Sequence, residues 1–275
     1  RPGRRPFRLI VSQHGLGSFA RAAQLDGLPL DARRLRRLLT LERAILRRAD
    51  RVIIPSVPAA DALMRDMRWD RLPAHCHVLG YGHPAQTLPE RDDARRQLGV
   101  SDDTPLILAM GRLSPAKRYE RVIEAVARLE QRHGRAAQLL IAGDGDRDAL
   151  WARSGAGRLH YPPRIERFDD VGPCLAAADV YLSACAVESF GLANREAVAA
   201  GLPCIIASGG ASDDVLGAGA WLMPADPAVM ADAVNTVLCD VSVGRLWRQR
   251  AWTAAARWAE WEEMPGDSEH TRLNA

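Results

Sequence analysis

The stretch Glu188-Ser189-Phe190-Gly191-Leu192-Ala193-Asn194-Arg195-Glu196 carries an acidic residue at each end of a run of seven other residues. The mostly apolar residues 179–182 before it predict a buried strand, and residues 197–200 after it predict the body of a short helix. The two acids therefore flank a turn from a strand to a helix, which is where open α/β sheets bind their ligands. Gly191 lets the backbone approach a ligand closely, and the first amides of the helix attract an anion.

The two acids are placed to contact a ligand in different ways. Glu196 lies about one turn into the predicted helix, where its carboxylate can accept hydrogen bonds from sugar hydroxyls. Glu188 lies in the loop and faces whatever extends beyond the anion. This arrangement suits a nucleotide-sugar.

Composition limits the classes of protein to which the chain can belong. Its 275 residues suffice for two domains, with 47% hydrophobic and 26% charged residues. No apolar run reaches the ~18 residues of a membrane-spanning helix, and residues 1–8 lack the apolar segment of a signal peptide, so we expect neither. Five cysteines without CxxC spacing favour reduced thiols over disulfides or a zinc site. We therefore expect a cytoplasmic protein, and a peripheral position at the inner face of the membrane stays open.

The N-terminal third of the chain is basic, because residues 1–90 contain 16 arginines and 8 acidic residues. The densest basic run, residues 33–48, has apolar residues at helical spacing and arginines on its other faces. One interpretation is a solvated face on a helix packed against the core. The alternative is docking onto anionic lipid headgroups, where each basic residue contributes about 1 kcal/mol. Nucleic acid is not expected as a partner, because no aromatic residues interleave the run.

Strand and helix patterns alternate along the chain, which predicts βαβ units and an α/β fold with a parallel sheet covered on both faces. In the first portion, the predicted strands are 7–12, 51–55 and 77–79, and the predicted helices are 33–49 and 58–67. Six further strands are predicted at 106–110, 138–142, 159–161, 180–183, 204–207 and 221–223. Further helices are predicted at 117–132, 146–153, 168–177, 192–200, 212–217 and 227–239.

A polar stretch at residues 86–93 predicts a linker between two domains, 1–88 and 89–264. A last amphipathic helix closes the second domain and is expected to place four tryptophans in the core: Trp247, Trp252, Trp258 and Trp261. Residues 265–275 are expected to form a mobile tail.

A second group of residues follows the opening strand of the larger domain. Gly111 and Arg112 come directly after that strand, and Lys117 begins the next predicted helix. Lys117 is the only lysine among the 37 lysine and arginine residues of the sequence. It is either an ordinary exposed lysine at a helix start or a compact point charge that binds a phosphate. Because Gly111 and Arg112 lie beside it, we expect a clamp for a diphosphate.

Four motifs occur together in an order found in one known family: Gly111-Arg-Leu-x-x-x-Lys117, Ala142-Gly-Asp-Gly145, Ala178-Asp179, and Glu188-x-Phe190-Gly191-Leu192-x-x-x-Glu196-Ala197-x-Ala-x-Gly201-x-Pro203. Through them, residues 100–262 resemble the nucleotide-sugar-binding domain of retaining GT-B glycosyltransferases, glycosyltransferase family 4, group 1. Residues before 90 resemble the latter half of that family's acceptor domain more loosely, through His14-Gly15, Ser56 and residues 77–82.

The resemblance implies a GT-B type fold with two Rossmann-like domains. Residues 1–88 would form a partial, shortened acceptor-side domain, and residues 89–264 would form the domain that binds the nucleotide-sugar donor.

The resemblance also implies a role for each matching residue. Arg112 and Lys117, beside Gly111, would hold the donor diphosphate and stabilise the charge that builds on the leaving group. Glu196 would bind the ribose hydroxyls, and Glu188 would bind hydroxyls of the transferred sugar. The alternative, that Glu188 acts as a covalent nucleophile, is disfavoured.

Three further parts of the site follow from the same resemblance. Backbone amides near Phe190, Gly191 and Leu192 would contact phosphate or sugar. His14 would reach across the cleft to the sugar or the reaction centre, with a purely structural histidine as the alternative. Arg164, placed after a predicted strand, would lie roughly where the base packs.

These roles predict a retaining glycosyltransferase that moves a hexose-type sugar from a UDP- or GDP-sugar to a glycan or lipid-linked acceptor. Pre-placed cations and helix dipoles can stabilise the departing diphosphate, so we expect no cofactor and no metal site. Donor sugar, base and acceptor stay open. The alternative function is a truncated nucleotide-sugar-binding protein or subunit that does not transfer alone, and a sugar-nucleotide epimerase is a more distant one.

Overall fold

Residues 7–82, 87–154, 157 and 159–262 are described by the computed structural model of the chain. They form two separate parallel sheets, one of three strands and one of six. The expected tail at 265–275 and the side chain of Trp261 lie outside the described residues.

The first sheet has its three strands side by side in chain order, all parallel: β1 (Ile10–Ser12), β2 (Arg51–Ile54) and β3 (Cys76–Val78). Three helices come between these strands along the chain: α1 (Phe19–Leu25), α2 (Ala32–Arg48) and α3 (Val57–Met67). Val52 and Ile54 of the central strand are fully buried and belong to one cluster with Leu46, Leu63 and Met67. This small sheet therefore has a core of its own.

Polar side chains fix where these helices begin. Asp31 accepts hydrogen bonds from the backbone N–H groups of Arg33 and Arg34 at the start of α2. Ser56 accepts one from the N–H of Ala59 at the start of α3. Because Ser56 comes two residues after β2, α3 starts close to the carboxyl end of that strand.

The second sheet contains six parallel strands: β4 (Leu106–Met110), β5 (Gln138–Ala142), β6 (Arg164–Glu166), β7 (Val180–Ser183), β8 (Cys204–Ala207) and β9 (Trp221–Met223). Its described helices are α4 (Arg91–Leu98), α5 (Tyr119–His133), α6 (Arg147–Ser154), α7 (Gly172–Ala177), α8 (Leu192–Ala199), α9 (Ser212–Leu216), α10 (Pro227–Cys239) and α11 (Val241–Glu262).

Strand β4 shows why the larger domain is an α/β sandwich. All five of its residues are buried, as expected of a central parallel strand that is covered on both faces. Ile107 and Ala109 face one core cluster, to which α5 and α10 contribute. Leu106, Leu108 and Met110 face the other, to which α4, α7, α8 and α11 contribute. The two clusters together hold helices on opposite faces of the sheet.

The strand order β6-β5-β4-β7-β8-β9 reverses direction between β4 and β7. From β4 the chain builds the sheet one way through β5 and β6, and it then returns to build the other way from β7. The loops after β4 and β7 therefore diverge to opposite faces and leave a crevice between them, the usual ligand site of such sheets. Residues 111–118 and 184–191 are these two loops.

One predicted strand was wrong. Residues 159–161 form a bend, and the strand that pairs with β5 is Arg164–Glu166. Pro162 and Pro163 separate the two segments; proline lacks the N–H group that a sheet ladder needs, so pairing can begin only after them.

Two helices were missed, and three other predictions need correction. The sequence did not predict α1 or α4, and residues 91–93 of the expected linker form the first turn of α4. Helix α7 begins at Gly172 rather than at residue 168. Trp252 was expected in the core but is 58% exposed.

In the described part of the chain, no helix is both long and apolar enough to cross a membrane.

Gly143 allows the loops after β4 and β5 to touch. A Cβ atom at this position would lie 2.0 Å from the Gly111 carbonyl oxygen, which is backbone and cannot move aside cheaply. The adjacent Gly111 N–H donates to the carbonyl of Ala142 over 3.0 Å. The position of the β4 loop therefore depends on the absence of a side chain at residue 143.

We predict that Gly143→Ala lowers the free energy of unfolding by about 3 kcal/mol or more, because the new methyl group must displace backbone. Gly99→Ala is the control: unlike Gly143, Gly99 has no atom within 4 Å of an added Cβ, and with φ of +64° alanine meets only backbone strain of about 1–2 kcal/mol there. Urea denaturation of both variants measures the difference. Equal destabilisation of the two would contradict the proposed clash.

Candidate active site

An ion pair joins the loops that follow β4 and β7. The Lys117 ammonium donates a hydrogen bond to Oε1 of Glu188 over 2.5 Å. Only 22% of the Lys117 side chain and 11% of the Glu188 side chain are exposed. The pair therefore connects, at the point where the strand order reverses, two motifs that are 71 residues apart in the sequence.

The surroundings of Lys117 keep it charged. Burial lowers the pKa of the Lys117 ammonium, but the negative charge of Glu188 and its hydrogen bond raise that pKa, and the net pKa lies above its ordinary value. Cys185 lies close by, and burial raises the pKa of its thiol to about 12, so it stays neutral. The Arg112 charge also acts on Lys117, which places two cations near each other. This is the charge distribution that a diphosphate requires.

Gly111 and Arg112 form the other half of the predicted clamp. The hydroxyl of Tyr119 donates to the Gly111 carbonyl over 2.8 Å and holds the start of the loop. The Arg112 guanidinium is 72% exposed and pairs with Asp26, at the end of α1, over 2.7 Å. Arg112 therefore bridges the two sheets, and its guanidinium is accessible to a ligand that can replace Asp26.

A cleft of about 350 Å³ opens at the carboxyl ends of β4, β5 and β6. Arg112 lines it together with Asp144, Arg167 and Phe168. Pockets that bind small molecules measure about 300–1,000 Å³. The cleft is thus large enough for part of a nucleotide, and Arg112 lies in its wall.

The turn between the two acids has the predicted form. Gly191 takes a left-handed conformation with φ of 79° and leads into α8, whose first turn has no side-chain cap. Uncapped amides at a helix start attract anions. Leu192 is 49% exposed, whereas Phe190 is buried and packs edge-on against the ring of Tyr81. The backbone of this turn is accessible, while the Phe190 side chain is structural.

Glu196 lies in the second turn of α8 and is half-buried. Burial raises the pKa of its carboxyl group. Among the described residues, this carboxylate has no hydrogen-bond or ion-pair partner. A partly desolvated carboxylate without a partner is unfavourable in the free protein, and hydroxyl groups of a ligand would satisfy it.

His14 comes from the first sheet and meets this turn. The Ser189 hydroxyl donates to the His14 carbonyl over 2.6 Å, and the Ser56 hydroxyl donates to the Ser189 carbonyl over 2.6 Å. The exposed His14 ring contacts Tyr81, whose hydroxyl is 2.5 Å from Nδ1. The structure therefore brings His14 to the loop that carries Glu188.

Arg164 is not brought to this group. It is the first residue of β6, and its guanidinium donates to the carbonyl of Leu98 over 2.5 Å and to Glu166 over 3.0 Å. Because ligands bind beyond the carboxyl ends of the strands, the opposite end of β6 is the relevant one. Arg167 and Phe168 follow that end and line the cleft, whereas Arg164 does not.

Residues 90–254 match the family model of the group 1 glycosyl transferases. The chain belongs to this family. Among curated relatives, this group 1 glycosyl transferase is 34% identical over 158 residues to an uncharacterised glycosyltransferase of Methanocaldococcus jannaschii, covering 55% of the chain and 40% of the relative. It is 33% identical over 153 residues to a GDP-mannose-dependent phosphatidylinositol dimannoside mannosyltransferase of Mycobacterium tuberculosis, covering 54% and 40%. The chain spans less than half of the length of both relatives.

Solved structures confirm the expected fold of this group 1 glycosyl transferase. A sucrose-phosphate synthase of Thermosynechococcus elongatus superposes with a TM-score of 0.73 at 25% identity, covering 93% of the chain and 65% of that protein. Anabaena HepE, in complex with UDP-glucose, superposes with a TM-score of 0.72 at 21% identity, covering 92% and 68%. The α/β, GT-B type architecture predicted from the sequence is therefore confirmed.

Sequence reasoning missed several residues at the site of this group 1 glycosyl transferase. Arg195 is buried beside Phe190, and its spacing of three from the apolar Val198 was the available signal. Arg167 and Phe168 would have been found if the strand had been predicted at 164–166. Nothing in the sequence pairs Asp26 with Arg112, because that contact joins two sheets.

We predict that Glu196→Gln makes the ligand-free protein slightly more stable near neutral pH, with a rise in Tm of a few degrees at most. Since burial raises the folded-state pKa above the unfolded value, the ionised carboxylate costs stability that returns as the pH falls through the raised pKa. The gain should vanish below about pH 4, where the parent is protonated as well. Thermal scans at several pH values measure this, with Asp169→Asn, a side chain 98% exposed, as control. Lower stability of Glu196→Gln at neutral pH would contradict the expectation.

Proposed function

We propose that the chain acts as a retaining, metal-independent glycosyltransferase that moves a hexose-type sugar from a nucleoside-diphosphate sugar to a glycan or lipid-linked acceptor. The observation that carries the proposal is the convergence of Lys117, Arg112 and the uncapped start of α8 at the switch point of the sheet. Glu196, a half-buried carboxylate without a partner in the described residues, follows in the same helix.

Donor binding would proceed by exchange of partners. Lys117 is paired with Glu188, and Arg112 is paired with Asp26. A diphosphate carries more negative charge than either carboxylate and can engage both cations at once. Glu188, released from Lys117, could then accept hydroxyl groups of the sugar. This role for Glu188 agrees with its ion pair better than that of a covalent nucleophile.

The position of Glu196 suits the ribose. Hydroxyl groups that donate to its carboxylate would replace the solvation lost on burial. The free energy that the unsatisfied carboxylate costs in the ligand-free protein would then be recovered on binding. The cleft lined by Arg167 and Phe168 would hold the base.

The transfer step needs stabilisation of the leaving group above all. The bond from the anomeric carbon to the diphosphate oxygen breaks, and its electron pair goes to the diphosphate. Arg112, Lys117 and the α8 amides would stabilise that charge. The acceptor hydroxyl would attack the face that the diphosphate leaves, which retains configuration, and its proton would pass to a phosphate oxygen.

The choice of base is left to the experiment. The M. tuberculosis relative is named as GDP-mannose-dependent, and the HepE structure contains UDP-glucose. UDP-glucose and GDP-mannose are therefore the first donors to test.

A second function is favoured by one observation. The N-terminal sheet has only three strands in the described residues, half the number in the other sheet. A protein or subunit that binds a nucleotide-sugar without transferring it alone is therefore the alternative.

We predict that Lys117→Ala and Glu196→Gln each raise the donor dissociation constant by roughly 10–100-fold, because each removes a hydrogen bond to a charged group. Arg128→Ala is the matched control, since Arg128 pairs with Glu124 on an exposed face of α5. Calorimetry with UDP-glucose and GDP-mannose gives the constants, and a labelled-donor assay measures transfer. Parent-like binding by both variants would mean that the site is misplaced.

The same two measurements separate the candidate functions. Transfer to an acceptor, or hydrolysis of the donor, supports the enzyme. Binding without either reaction supports the binding protein. A folded parent that binds no nucleotide-sugar would contradict both.

We also propose that α2 docks the protein on the anionic surface of the inner face of a membrane. Three residues of α2 form an exposed apolar stripe: Leu38, Leu41 and Ile45, which are 39%, 59% and 43% exposed. Arginines flank this stripe, and charge complementarity therefore favours acidic headgroups as the occupant. A lipid-linked acceptor would then be reached from the side of the small sheet.

Leu41→Ser combined with Ile45→Ser should lower binding to vesicles of phosphatidylglycerol and phosphatidylcholine by about tenfold, because apolar area available for insertion is lost. Val229→Ser combined with Val241→Ser is the control, since these exposed valines lie on α10 and α11. Vesicle sedimentation gives the partition coefficients. Equal loss in both double variants, or parent binding to pure phosphatidylcholine at the same strength, would contradict docking through α2.

A further inference from the structure

Tyr81 touches the candidate site at three places. Its hydroxyl oxygen is 2.5 Å from Nδ1 of His14, and the two rings stack with centroids 5.8 Å apart. Its ring meets Phe190 edge-on, with centroids 5.0 Å apart. Its carbonyl accepts a hydrogen bond from the Arg195 guanidinium. Tyr81 follows β3, so the segment that leaves the first sheet contacts both His14 and the loop between Glu188 and Glu196.

We propose that Tyr81 is a positioning residue that fixes the tautomer and ring orientation of His14 for use at the donor site. The inference rests on the proposed function for the role of His14. The geometry on which it depends is a property of the protein without donor.

The direction of the hydrogen bond follows from the two groups. A phenol is a good donor and a weak acceptor, whereas an unprotonated imidazole nitrogen is a good acceptor. Burial raises the pKa of Tyr81, so its hydroxyl keeps its proton at neutral pH. Tyr81 therefore donates to Nδ1 whenever that nitrogen is unprotonated.

A hydrogen-bond donor at Nδ1 determines whether the other ring nitrogen, Nε2, carries a proton. Neutral histidine carries one proton, so His14 holds it on Nε2 when Nδ1 accepts. Among the described residues, Nε2 has no partner of its own. Nε2–H can therefore donate a hydrogen bond to a hydroxyl or phosphate oxygen of a bound nucleotide-sugar.

The backbone around the pair is held independently of the Tyr81 hydroxyl. Arg195 is buried between the rings of Phe190 and Trp258, 5.0 Å and 4.3 Å from their centroids, and its guanidinium fixes the Tyr81 carbonyl. The Ser189 hydroxyl fixes the His14 carbonyl. Tyr81→Phe therefore removes the hydrogen bond to His14 and leaves the ring contacts and both backbone anchors in place.

Nitrogen-15 NMR of labelled histidine reports the tautomer directly in the ligand-free protein. We expect the Nε2–H form of His14 to dominate in the parent at a pH about two units above the ordinary histidine pKa, and a mixture of tautomers in Tyr81→Phe. His14→Gln assigns the signal. Tyr161→Phe is the matched control, because Tyr161 also contacts a histidine, His160, but through its ring edge alone. An unchanged tautomer in Tyr81→Phe, or the Nδ1–H form in the parent, would overturn the inference.

Enzyme kinetics test the consequence of this hydrogen bond for sugar transfer. Tyr81→Phe should lower kcat/KM about tenfold with unchanged Tm, and it should have no further effect in a His14→Ala background, because Tyr81 acts through His14. Additive losses in the double variant would overturn the inference. Failure of the parent to bind any donor would contradict the proposed function alone, since the tautomer measurement needs no donor.

Discussion

Strands β4 and β7 lie side by side in the six-stranded sheet, although two strands and three helices come between them in the chain. Their parallel pairing forces the loops after them to begin at the same edge and to leave toward opposite faces. Lys117 and Glu188 stand on these two loops and meet in the crevice between them. Without the β4–β7 pairing, Lys117 and the turn between Glu188 and Glu196 would be separate features of the surface.

The charges of the ligand-free site are balanced within the protein. Glu188 forms an ion pair with Lys117, and Asp26 forms one with Arg112. The pair with Glu188 makes the burial of Lys117 tolerable, because an unpaired buried charge is strongly unfavourable, whereas Arg112 is mostly exposed. Glu196 differs, since its carboxylate has no such partner in the described residues. The site therefore combines two cations that have internal partners with one carboxylate that has none in the described residues.

Much of this arrangement was predictable from the sequence. Five of the six strands of the larger sheet were placed by their apolar runs, and the Glu188–Glu196 turn was placed by a strand, a glycine and a helix in close succession. Local patterns failed where their signals were weak. The strand at 164–166 carries two charged residues out of three, and α4 begins with the sequence Arg-Asp-Asp, which resembles a linker. For the same reason, the sequence did not reveal that Arg164 begins this strand, at the end away from the cleft.

The sequence by itself determined the α/β class, the family resemblance and the residue types in the loops after β4 and β7, because these follow from periodicity and from motifs a few residues long. Only the tertiary structure decided which charges meet. The contacts of Asp26 with Arg112, of Tyr81 with His14 and of Arg195 with Tyr81 each join residues that are 67 to 114 positions apart. Such pairings depend on how the two sheets lie against each other, and no local pattern carries that information.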